Sequence, residues 1–126
     1  MAGSLSDYAE GKALDHILGT GAWTMPTGVV LGLFVSDPGE AAGGTEVTGG
    51  TYSRTAITFN AASGGSATNI LVTFPTATAD WGTVSHWVIF DGSANRLAHG
   101  SFDTPKSVPS GATAKILAAT LTISID

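Results

Sequence analysis

His86 and His99 are the residues whose type and placement come nearest to chemistry. They fall on the two arms of a predicted β-hairpin, close enough to approach one another. A metal ion would need a third ligand and hydrogen-bonded support behind it, and only Asp91 and Asp103 stand near the hairpin ends. Two strand histidines at a solvated face or a subunit contact explain the pair more simply, so no metal site is expected. His16 lies far upstream. A serine hydrolase would place its nucleophile on a Gly-x-Ser-x-Gly elbow, and Ser63-Gly64-Gly65-Ser66 lacks that pattern. Gly43-Gly44 and Gly49-Gly50 lead into a predicted strand with no Gly-Lys-Ser/Thr after them, so they do not read as phosphate cradles. No pair of carboxylates is singled out for acid–base work, and an Asp at a turn is most often a turn former. The chain has no cysteine, which excludes a disulfide framework, a zinc knuckle and a thiol nucleophile. Neither an enzyme nor a cofactor is expected.

The elements that would position these residues are mostly strands. Val84 to Asp91 and Arg96 to Phe102 read as a hairpin joined by Gly92-Ser93-Ala94-Asn95. On its first arm Trp87 and Ile89 share one face, with Val84, His86, Val88 and Phe90 on the other. Val29 to Val35 is nearly continuous in apolar residues and reads as a central strand covered on both faces. Tyr52 to Phe59 and Ile70 to Phe74 alternate. The final strand has the clearest period of two: Lys115, Leu117, Ala119, Leu121, Ile123 and Ile125 against Ala118, Thr120, Thr122 and Ser124. The long glycine-rich loop Asp37 to Gly50 is expected either to order against a neighbouring subunit or to stay a floppy surface loop.

One helix is predicted over residues 4–18, with Ser4 or Ser6 as N-cap, Asp7 and Glu10 at the positive end of its dipole, and Gly19 as a left-handed stop. Leu14, Ile17 and Leu18 recur at helical spacing, and Leu5 with Tyr8 forms a second patch. Gly11 costs such a helix about 1 kcal/mol against Ala. So short a helix must dock, either on its own sheet or on another subunit. The expected fold is therefore mainly β, an antiparallel β-sandwich or partly open barrel with one short N-terminal helix. Residues 1–126 form a single domain, with the helix at 4–18 and the β-sandwich at 28–126.

Composition narrows the partners. Of the 126 residues only 12 % are charged, against 43 % hydrophobic, and the net charge is -5. The chain should fold, with a surface of small hydroxyl and methyl groups that is cheap to desolvate against another protein. Lys12, Arg54, Arg96, Lys106 and Lys115 lie far apart, so no nucleic acid is expected as partner. No signal peptide or membrane span is read, because charged residues interrupt every apolar run near the start. Core packing is the default for the tryptophans, and Trp81, in the turn-like Asp80-Trp81-Gly82, is the one expected to be partly exposed.

The order of motifs resembles a family of small tailed-bacteriophage virion structural proteins, of the capsid cement (decoration) or tail-fibre type. The resemblance is carried by YAE at 8–10 through LDHILG at 14–19, LGLFVSDPG at 31–39, TEVTGGTYSR at 45–54, FPTATADWGTVSH at 74–86 and TPKSV at 104–108. Thr51 and Ser53 depart from the Gly and Ala expected there. The resemblance implies a viral structural protein located in the virion and assembled in the host cytoplasm, with no catalytic residues to carry over. Small size and acidity tilt the expectation toward a cement protein on the outside of the capsid. Its partners would be the major capsid protein and copies of itself, as trimer or dimer, without nucleic acid or membrane. The alternative is a tail-fibre or tail-adaptor protein, and a third reading is a glycan-binding sandwich with exposed tryptophans. Candidate subunit contacts are Leu5, Tyr8, Leu14, Ile17, Leu18 and Trp81, together with the loop at 37–50.

Overall fold

Alternating apolar residues on two neighbouring strands set the centre of the fold in the computed structural model, which describes residues 2–124. β1 spans Ala2–Leu5, α1 Asp7–Ile17, β2 Val30–Phe34, β3 Thr55–Ala56, β4 Ser66–Thr68, β5 Val72–Thr73, β6 Thr83–Phe90, β7 Arg96–Ser107, β8 Lys115–Ile116 and β9 Thr122–Ser124. Seven strands form one curled sheet in the order β3-β2-β6-β7-β1-β9-β4, and β5 and β8 form a second, two-stranded sheet. All pairs are antiparallel except β1 with β9. The expected mainly β, half-open architecture with one helix is therefore present, with one parallel pair inside it.

Opposed residues Leu31↔Ile89 and Leu33↔Trp87 turn inward from β2 and β6 and join Val72, Phe74, Trp81, Val108, Ile116 and Leu121 in the core. Val30, Phe34, Val88 and Phe90 point to the outer face and form a smaller cluster there. The sheet is thus apolar on both faces at its middle, as the continuous run in β2 requires. Val84 departs from the expected alternation: the register shifts between Val84 and His86, where Lys106 to Ser101 of β7 lie opposite Val84 to His86 of β6, and Val84 joins the same core as Trp87. The Trp87 indole lies over the paired glycines Gly3 and Gly100, where any Cβ would overlap the ring.

The hairpin stands where it was expected, with β7 running further, to Ser107. Asp91 closes its turn by accepting from the backbone N–H groups of Ser93 and Asn95, both at 2.9 Å, and from the Asn95 amide at 3.0 Å. Slight burial pushes this carboxyl up, but those hydrogen bonds outweigh it and hold it below the ordinary value.

Four of the expected elements differ in extent. The helix begins at Asp7, because residues 4 and 5 belong to β1 and Ser6 is the pivot between them. Its hydroxyl accepts from Ala9 N–H at 3.1 Å and donates to the Arg96 carbonyl, while its own N–H donates to Leu97 O at 2.9 Å. The alternating stretches at 52–59 and 70–74 shrink to the short β3 and β5, and Ile70 and Leu71 are exposed. The long final strand is cut in two: β8 ends at Ile116, β9 starts at Thr122, and Ala119 takes φ 60° in the turn between. Leu117, expected to share a face with Leu121, is 64 % exposed, whereas Ile116 and Leu121 are buried. Ile125, which the alternation placed on that same face, lies outside the described residues.

The cut is imposed by Asn69, which is fully buried. Its amide donates to Ile70 O at 3.0 Å and Leu117 O at 3.1 Å, and its carbonyl oxygen accepts from Leu121 N–H at 2.9 Å. Its backbone meets Ala119 N–H at 2.9 Å and Leu121 O at 3.3 Å. Asn69→Ala would leave the Leu121 donor buried without a partner, and the expected loss is about 1–3 kcal/mol in chemical denaturation. Gly100→Ala should cost a similar ~1–3 kcal/mol by overpacking against Trp87. A Gly100→Ala protein as stable as the wild type would mean that the indole is not seated on this glycine pair.

Candidate functional site

The loop from Asp37 to Gly50 folds back on its own sheet. It returns along β2 through Thr45 O to Val35 N–H and Leu33 O to Val47 N–H, both at 2.9 Å. Arg96 holds its far side by donating to Pro38 O at 2.6 Å and Gly43 O at 3.0 Å, with its guanidinium carbon 5.3 Å from the centre of the Phe34 ring. Arg54 lies over Phe90 at 3.6 Å and grips Glu46 through two bonds, 2.9 and 2.8 Å. Tyr52 donates to Glu46 at 2.7 Å and accepts from Leu33 N–H at 2.9 Å, which serves a β2 donor beyond the end of β3. The loop thus orders against its own sheet and covers the outer apolar face. This corrects the expectation of a floppy or neighbour-dependent loop, and the reason is two planar cations that stack on rings while bonding to loop carbonyls and a carboxylate.

The histidines do share a hollow, of about 220 Å³, lined also by Asp37, Gly3, Ser4, Gly100 and Ser101. His86 stands opposite Ser101 and His99 opposite Val88, which places them on one face of neighbouring strands. His86 Nδ1 lies 2.8 Å from Ser85 Oγ, and His99 Nε2 is shielded without a hydrogen bond, 3.8 Å from Glu40 Oε1. The acids anticipated beside them are elsewhere: Asp91 closes the hairpin turn and Asp103 sits on exposed β7. Asp7, Glu10 and Glu40 gather within 4.8 Å of one another, all exposed, and make an acidic patch at the start of α1.

Of the candidate subunit contacts, three are open to a partner. Leu14, Ile17 and Leu18 are 57 %, 72 % and 70 % exposed, because α1 docks on its sheet mainly through buried Ala9. Leu5 is half-buried in β1 opposite Ala98, and half-buried Tyr8 packs edge-on to Trp23 at 6.5 Å. Trp81 does not fit the expected exposure: it is 3 % exposed. Its indole N–H donates to Gly50 O at 3.2 Å, and its ring meets Tyr52 and Phe74 edge-on at 5.3 and 6.3 Å. The turn signal around it was real, but the turn folds inward onto an aromatic trio.

A cleft of about 610 Å³ opens at the far end of β7. It exists because β1 pairs with β7 only at Ala98, His99 and Gly100, and β8 pairs only with β5, so residues 102–107 face residues 112–117 across a gap. Its floor is core side chains, Leu33, Val84, Val108 and Ile116, and Lys106 and Lys115 line it, with Asp103 the one acid among the lining residues. Sequence reasoning missed this cleft, since Leu117 and Lys115 were read as one face of an unbroken strand.

Residues 4–124 match the family described as Podophage GP4 fiber I protein gp80. No curated protein gives a match.

The Glu46 cluster generates a pH prediction. Burial raises the Glu46 carboxyl, but the hydrogen bonds from Arg54 and Tyr52 and the charges of Arg54 and Arg96 outweigh it, leaving it below its ordinary 4.5. Its stabilisation is fully present above that value and is lost as the pH falls through the lower folded one. Acid unfolding of Glu46→Gln should therefore be flatter than that of the wild type below pH 4.5, and superimposable curves would contradict the cluster's role.

Proposed function

The chain belongs to the family described as Podophage GP4 fiber I protein gp80, a family of tailed-phage virion structural proteins, and on that premise we propose that it is a structural component of the phage fibre, held there by contacts with copies of itself and with neighbouring virion proteins. The observation that carries the reading is the extent of the match, residues 4–124, which runs from β1 through β9. Two features of the surface support it. The chain is sparing with charge, which lowers the desolvation cost of burial against another protein, and it exposes a patch of large apolar side chains on α1. A structural family also supports a non-enzymatic role.

Decoration of the capsid by trimers or dimers bound to the major capsid protein is the finer reading that sequence alone favoured. Small size and acidity are consistent with it, but the fibre description of the family weighs more. The glycan-binding reading loses Trp81, the tryptophan expected to be exposed, which is buried.

Image reconstruction of virions carrying an epitope on the exposed turn at Ser110-Gly111 tests the assignment. Antibody density along the fibres is expected. Density distributed over the capsid lattice would replace the fibre reading with the cement reading, and virions without the epitope would end both.

A further inference from the structure

Resting on the fibre reading and its self-association, we propose that the exposed face of α1 on one copy seats in the β7–β8 cleft of a second copy, head to tail. Asp7, Glu10, Leu14 and Ile17 recur at helical spacing along one stripe, with Leu18 beside Leu14. This stripe carries carboxylates in its first half and exposed apolar side chains in its second. The cleft offers the complement: an apolar floor for the leucines and isoleucine, and Lys106 and Lys115 for the carboxylates. Two of the five basic residues of an acidic chain therefore line one cleft, and they outnumber Asp103, the single acid there. Charge complementarity of this kind orients an interface and disfavours the wrong one.

The helix cannot fill its own cleft. Ser6 ties the start of α1 to Arg96 and Leu97, at the beginning of β7, whereas the cleft lies beside residues 102–107 at its end. Arg96 pairs with Phe90 and Lys106 with Val84, so the two ends lie about 20 Å apart at roughly 3.3 Å per residue of β6. The two surfaces thus sit at opposite ends of one strand. Pairing the helix faces of two copies with each other is the competing arrangement, but it supplies no cation to Asp7 and Glu10, since Lys12 is directed over the Tyr8 ring at 5.9 Å. A head-to-tail contact joins two different patches, and repeats of it close into a ring or continue as a filament according to the rotation it imposes.

The chain has no cysteine, so an engineered pair reports without background. Ile17→Cys and Leu117→Cys change exposed positions and spare the core. The two proteins, made separately, mixed and treated with a short bis-maleimide, should yield a cross-linked heterodimer. Reversing the cleft charges with Lys106→Glu and Lys115→Glu should weaken self-association by about tenfold or more in light scattering, and adding Asp7→Lys and Glu10→Lys to the same chain should restore it. Ile17→Cys protein cross-linking to itself, with no mixed product, would overturn the docking in favour of helix pairing. An oligomer that forms neither product would overturn it as well, and that failure would leave fibre density in virion images untouched. A wild-type chain monomeric at millimolar concentration would overturn both the docking and the self-association on which it rests, while absence from the virion would remove the fibre reading whatever the cross-links show.

Discussion

A single buried amide, that of Asn69, decides where this fold changes direction. An unpartnered amide at a site of zero exposure would be costly, and here the side chain is satisfied by three backbone groups, the carbonyl of neighbouring Ile70 and Leu117 O and Leu121 N–H at the two ends of one remote turn. Those bonds pin residues 117–121 against residues 69–70. They force the chain out of extended geometry after Ile116 and return it as β9 into the large sheet, beside β1 and β4. The small β5–β8 sheet, the second layer over the core and the cleft next to it all follow from that break. Were residues 115–124 one straight strand, the segment at 112–117 could not lie across from the end of β7.

A second constraint acts on the other face. A sheet that is apolar on both sides at its centre must be covered twice, and the chain is too short to supply two complete sheets. The inner face takes β5, β8 and the Trp81 aromatic group. The outer face takes a loop, which brings little apolar surface of its own. Arg54 and Arg96 close the difference by stacking on Phe90 and Phe34 while fixing Glu46, Pro38 and Gly43. Each guanidinium serves as a flat apolar cover and as a hydrogen-bond donor at once, which a lysine could not do.

Local signals and long-range ones separate cleanly in what the sequence could tell. The β6–β7 hairpin was legible because alternation and turn residues lie within a few positions of each other, and Gly19 was legible as the helix stop because its φ of 79° is a local demand. The break at Ala119 was not, since the residue that causes it is about fifty positions away and nothing near 117 departs from period two. Residues 4 and 5 read as helix because Ser4 also offers N-cap chemistry and Leu5 falls at helical spacing from Tyr8. Only pairing with Ala98 and His99 makes them a strand. Trp81 misled for a related reason: a turn composition says that the backbone bends and is silent on which way the indole faces. Of the candidate contacts, Leu14, Ile17 and Leu18 were legible as a helix stripe, but their exposure was not. Periodicity marks a face and leaves open what covers it.

The two open surfaces come as a pair because they lie at the two ends of β7. β7 is the longest strand, and its neighbours cover different parts of it: β1 and α1 attach near its beginning, and past Gly100 the side once held by β1 is left without a strand. One strand therefore ends in a docked helix with an uncovered apolar stripe and, at its other end, in an open edge floored by core residues. An isolated domain gains nothing from leaving both uncovered, since each exposes apolar surface that burial would stabilise. The proposed repeating structure would gain, because complementary surfaces at opposite ends of one strand would let each copy present to the next what it receives from the one before. In the proposed head-to-tail packing, sparing charge over the remaining surface would keep the desolvation cost low, and the charges at the helix start and along the cleft would set its direction.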